Sequence, residues 1–133
     1  MKKILLIIAL FLSAPVFAAN TTEYRDGSVV VTIGQLSLAS TTTSDGFLLG
    51  PYQSGSLQCV WASITGPNST FILQFSNDNS NWDDVSGAAT TTSGASGSGT
   101  WIIEPMVSRY ARVKVSSAST TGTLNCISVL KKF

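Results

Sequence analysis

Ser56 to Thr65 (SLQCVWASIT) is the segment that most limits what this chain can become. Side chains alternate along an extended strand, so Leu57, Cys59 and Trp61 share one face and Val60, Ala62 and Ile64 the other. Apolar residues on both faces over a run this short mark an interior strand of a sheet. No window of the chain sustains apolar residues at 3.6-residue spacing between helix caps. Short β-branched runs between Gly, Ser, Asn and Pro clusters recur instead.

The remaining segments follow suit. Ser28 to Ile33 (SVVVTI) reads as a strand, Gly34 as a break, and Gln35 to Ser40 as a second strand with Leu36 and Leu38 on one face. Thr70 to Ser76 places Phe71, Leu73 and Phe75 together, and Arg109 to Ser116 points Ala111, Val113 and Val115 inward. Phe47 to Leu49, Trp82 to Val85, Thr100 to Ile103 and Thr123 to Leu130 complete the set. Gly50-Pro51, Gly66-Pro67-Asn68, Asn77 to Asn81 and Ser117 to Gly122 are turns. Gly87 to Gly99 (GAATTTSGASGSG) reads as a low-complexity loop. Eight or nine short strands at this spacing predict an all-β, antiparallel β-sandwich of jelly-roll type.

The first residues have a different character. Lys2 and Lys3 precede an apolar run from Ile4 to Leu12, and Val16-Phe17-Ala18 ends on a small residue. This is the order of a secretory signal peptide, with cleavage predicted after Ala18. The apolar run is shorter than the ~20 residues a membrane-spanning helix needs. The predicted organisation is therefore a signal peptide (1–18), an extended N-terminal segment (19–27) and a β-sandwich domain (28–133), with a secreted, periplasmic or cell-surface location and no membrane span once the leader is removed.

Removing residues 1–18 leaves 115 residues with six basic and seven acidic side chains, a net charge of −1. Ser, Thr, Gly and Asn supply 51 of the 115. A surface this polar and this sparsely charged suits contact with other neutral surfaces, and it gives no electrostatic basis for a nucleic-acid partner. Histidine is absent, which excludes imidazole bases and His-ligated zinc. Neither a Gly-x-Ser-x-Gly elbow nor a pair of carboxylates poised across a cleft is evident. These absences point to a non-enzymatic protein without a cofactor or structural metal.

Cys59 and Cys126 each lie mid-strand. In an exported protein they are expected to pair; unpaired, they would pack as small apolar groups. The most specific motif is Gln74 to Val85, QFSNDNSNWDDV. Its Asn-Asp-Asn turn can bond its own backbone, and Trp82 can cover the end of the sandwich. As a binding edge, Trp82 would be a stacking platform and Asp78, Asp83 and Asp84 hydrogen-bond acceptors for a sugar. Tyr52 is a second candidate aromatic. The same carboxylates are a third reading as calcium ligands, although calcium takes 6–8 oxygens and the spacing matches no EF-hand loop.

From about Gly50 to Lys132 the chain resembles small β-sandwich proteins of the phage virion and tail-associated type. The resemblance rests on Trp61, Gly66, Ser76-Asn77-Asp78 with Trp82, Tyr110-Ala111-Arg112, and Thr121-Gly122-Thr123-Leu124 with Lys131. The S-x-D-x-x-x-W and R-Y-x-R pieces also resemble discoidin-like sandwiches that bind carbohydrate and lipid. The resemblance implies a sandwich fold and a structural or adhesive role. The leader and the cysteine pair depart from the virion pattern and favour an exported surface protein, or a virion protein assembled at an envelope. Two functions follow as expectations. One is a structural or assembly protein of a cell surface, extracellular filament or virion, in which residues 19–27 could reach a neighbour as an added strand. The other is a secreted monomeric module for carbohydrate or cell-surface binding. The corresponding partners are a second copy, or a surface glycan or protein.

Overall fold

The computed structural model describes residues 19–104 and 107–132; the predicted leader lies outside them. Ten strands alternate with turns: β1 (Thr21–Arg25), β2 (Ser28–Ser37), β3 (Thr42–Thr43), β4 (Phe47–Leu48), β5 (Ser54–Thr65), β6 (Thr70–Ser76), β7 (Asp83–Thr91), β8 (Gly97–Ile103), β9 (Tyr110–Ser117) and β10 (Thr121–Lys131). All pairings are antiparallel. Sheet A runs β1-β2-β10-β5-β8, and sheet B runs β3-β9-β6-β7 with β4 also paired to β9.

Past β1, most successive strands change sheet, and only β6 and β7 follow one another as paired neighbours within one. Counting β3 and β4 as one position gives the eight-stranded order of a jelly roll, with β1 added at an edge. Against the expected eight or nine strands there are ten among the described residues: the segments on either side of Gly34 form one strand, β2, while β1 and β3 lie in stretches not read as strands.

The inward faces form one core. Leu57, Cys59 and Trp61 from sheet A meet Phe71, Leu73, Ala111, Val113 and Val115 from sheet B, all buried. Phe71 stands edge-on to two indoles, with ring centroids 5.9 Å from Trp61 and 5.6 Å from Trp101. Such edge-to-face pairs add to simple burial because the positive ring edge meets the negative face. Cys59 and Cys126 are directly opposite one another on β5 and β10 and form a disulfide inside this core. It links two adjacent interior strands of sheet A across a separation of 67 residues.

Three local expectations differ from the structure, each for a backbone reason. Ile64 is buried with Trp61 instead of sharing the face of Val60. Ser63 takes a left-handed φ of 59°, and the β5–β10 register shifts there, so the alternation of faces reverses. Gly34 does not break a strand. It lies within β2, where the pairing to β10 shifts by one residue and Asn20 Oδ1 accepts a bond from the Gly34 N–H at 3.1 Å. The stretch 87–99 is mostly strand: β7 continues to Thr91 and β8 starts at Gly97. Its small side chains build little core, but the backbone ladder to β6 and β5 does not need them to. Gly97 is required in addition, because the Trp61 indole occupies the space a Cβ would fill.

Candidate functional site

Sheet and turn geometry divide the candidate residues among three places. The turn after β6 is built around Asp78. Its carboxylate accepts bonds from the backbone N–H groups of Asn81 (2.7 Å) and Ser80 (2.9 Å), from Asn81 Nδ2 (2.6 Å) and from Ser76 Oγ (2.9 Å). These donors, led by the Asn81 N–H, favour the charged form and hold the carboxyl far below its ordinary value of 3.8. Asn79 completes the turn at φ 59°, a conformation asparagine tolerates. Asn77 Oδ1 then accepts from the Arg109 N–H at 3.2 Å, tying the turn to the start of β9.

Asp78 thus fixes a loop. A depressed native pKa stabilises the fold above the ordinary carboxylate value, and that contribution is lost as pH falls below 3.8. Asp78→Ala is expected to lower the denaturation midpoint at pH 7 and to flatten its decline between about pH 4 and pH 2, as read by urea titrations at several pH values. A variant with the wild-type pH profile would contradict this role.

Trp82 turns away from this carboxylate. The Arg112 guanidinium lies over its ring, 4.3 Å from the centroid, and its six-membered ring abuts Gly46, where a Cβ would meet both the ring and the Asn79 side-chain oxygen. A polar chain continues across the outer face of sheet B. Arg112 Nε donates to Gln74 Oε1 (2.8 Å), Gln74 Nε2 donates to Asp84 Oδ1 (2.6 Å), and Lys114 Nζ lies 3.7 Å from the same oxygen. Partial burial draws the Arg112 pKa down while Asp84 draws it up. The indole is therefore held between an arginine and a glycine.

Asp78 and Asp83 do come together, lining a cleft of about 490 Å³ with Phe75, Asn81 and Asp84. Tyr52 lies across the sandwich at the edge that carries β1 and β4. There it lines a different cleft of about 350 Å³, packs against the core, and has Lys132 Nζ 5.9 Å from its ring centroid. Among the described residues no three acidic or cysteine side chains gather around one metal-sized space.

Two features were not read from the sequence. One is an apolar groove of about 600 Å³ between the edge strands β7 and β8, walled by Phe75, Val85, Trp101 and Ile103 and closed at one end by Glu104 and Val107. It joins the Asp83 cleft through Phe75, Val85 and Val107. Strands of two different sheets make it, so no local motif announces it.

The other is the outward face of sheet A. Pairing aligns Val30, Val129, Ser56 and Ile102 in one row, and Thr32, Ile127, Gln58 and Thr100 in the next. Val60 lies beyond them between Asn125 and Ser98. Neither row carries a charge from β2 to β8, and Val60 (47%), Ile127 (48%) and Ile102 (79%) are exposed. The alternation in SVVVTI and TLNCISVL hinted at apolar residues on both faces, but only the register shows that they align.

No family model and no curated protein matches the chain. Among solved structures it is similar to one from Bacillus endospore appendages, described as a novel family of disulfide-linked pili. That match has 17% identity over 92% of this chain and 97% of that one, with a TM-score of 0.45. It is also similar to a structure described under CBM4 structure and function, with 10% identity over 89% of this chain and 81% of that one and a TM-score of 0.46. Likeness at this level assigns no function. The two-sheet architecture agrees with the virion and discoidin-like resemblance as far as the β-sandwich, and no further.

Proposed function

We infer that this chain is an exported, non-enzymatic structural or adhesive protein that works by associating through sheet A. One observation carries the reading: the two central outward rows of β2, β10, β5 and β8 are free of charge, with Lys131 in the row beyond them, and they expose aliphatic side chains in register. Burying such a face costs little desolvation of charge and removes apolar surface from water. The buried disulfide suits an oxidising, exported setting. The candidate aromatics also favour this reading over a sugar site, because Trp82 and Tyr52 are already engaged by Arg112 and Lys132.

A surface-binding module is the second reading. It is favoured by the cleft that gathers Asp83, Asn77 and Asn81 around Phe75. The two separate in one experiment. Placing lysine at both Val60 and Ile127 sets like charges on two copies of the same face. Association measured by light scattering over a concentration series is expected to weaken at least tenfold, with an unchanged far-UV spectrum. Equal association of variant and parent would remove sheet A's face from the account.

A further inference from the structure

The four exposed edges of the two sheets are not equally guarded. Natural sheets protect edges with charges, bulges, proline or very short strands, because free N–H and C=O groups recruit further strands. On sheet B, β3 and β4 are two residues each, and β7 carries Asp83 and Asp84 with a register shift in its pairing. On sheet A, β1 carries Glu23 and Arg25. β8 (GSGTWII) has none of these devices: it is seven residues long, uncharged, free of proline and in unbroken register with β5. Beside it lies the apolar groove, ready to take the alternate side chains of an added strand.

We propose that the free edge of β8 receives β1 of a second copy in parallel alignment, so that sheet A continues from copy to copy in a head-to-tail filament. This rests on the reading of the domain as self-associating. In β1, Tyr24 stands opposite Val29 and so points to the inner side of the sheet, where it lines the cleft shared with Leu48 and Tyr52 and is still 81% exposed. Arg25 stands opposite Ser28 and points to the outer side. Within one copy, the chain of antiparallel pairings makes β1 and β8 run in the same direction. A neighbour related by stacking along the sheet therefore presents β1 parallel to β8, with inner and outer faces matched.

Setting Arg25 beside Glu104 then sets Tyr24 beside Ile103 and Thr22 beside Trp101, all with consistent sidedness. Tyr24 enters the groove wall of Trp101, Phe75 and Val85, and Arg25 leaves its exposed 3.1 Å pair with Glu23 for Glu104. Such a contact joins two different surfaces. It propagates instead of closing, unlike an isologous two-fold pair.

Charge exchange tests this. R25E and E104R alter exposed side chains, and each alone is expected to reduce elongation of the full processed chain at least tenfold, read by light scattering and electron microscopy. Each variant by itself sets like charges at every β1–β8 contact. In an equimolar mixture, alternating copies of the two variants bring opposite charges together at each contact, and elongation is expected to return. Unaltered melting temperatures exclude misfolding as the cause. Wild-type assembly that ignores both variants would overturn the β1–β8 contact while leaving association through sheet A standing. A closed dimer would overturn it in favour of β8 pairing with itself. A monomer at every concentration would overturn both.

Discussion

Replacing Cys59 and Cys126 together by alanine lowers the free energy of unfolding by about 4 kcal/mol. The magnitude follows from the chain entropy released when a cross-link spanning 67 residues is removed from the unfolded ensemble. A domain of this size has a total stability of about 5–15 kcal/mol, so this one bond decides whether the fold persists on warming. The chain has few alternatives for closing the sandwich. Its charges are sparse, its surface is dominated by small polar residues, and the bond joins two interior strands of sheet A. Urea titration of the reduced and oxidised protein measures the effect. A loss under about 1 kcal/mol would show that the hydrophobic core alone holds β5 against β10.

Phe71→Ala is expected to cost about 3–5 kcal/mol, the range for emptying a large buried aromatic site. Phe71 is fully buried and is the one ring that stands against both Trp61 and Trp101. The substitution reaches beyond stability, because Trp101 forms the wall of the β7–β8 groove. Denaturant titration reads the energetic loss, and the near-UV spectrum of the tryptophans reads the loosened cluster. Association should fall with it even under conditions where the variant is folded. A stable variant with an unaltered tryptophan spectrum would mean that sheet A holds Trp101 without help from sheet B.

Much of this architecture is legible in the sequence for a simple reason. In Thr70–Ser76 and Tyr110–Ser117 a period of two places Phe71, Leu73, Ala111, Val113 and Val115 on the buried side, so these core members can be named in advance. Where a single residue leaves the regular backbone, the pattern fails downstream. Ser63 sends Ile64 to the core, and the bulge near Gly34 joins two apparent strands into one. The stretch 87–99 misleads because composition reports on side chains, whereas Thr90 and Thr91 are held by backbone pairing to β6.

The site is less legible. Asp78 and Asp83 are close in sequence and do share a cleft. Trp82, between them, is turned onto Arg112, a residue 30 positions away that no local motif indicates. The face of sheet A and the groove beside β8 depend on strand order and register, which arise only when distant segments meet.

The central claim is that this domain associates through sheet A, and the native mass of the processed protein tests it most directly. Size-exclusion chromatography with light scattering, run over a hundredfold range of concentration, should show mass rising with concentration, and the Val60→Lys, Ile127→Lys double variant should need at least tenfold more protein to reach the same mass. A wild-type protein that keeps the mass of a single chain across the whole range would contradict the account.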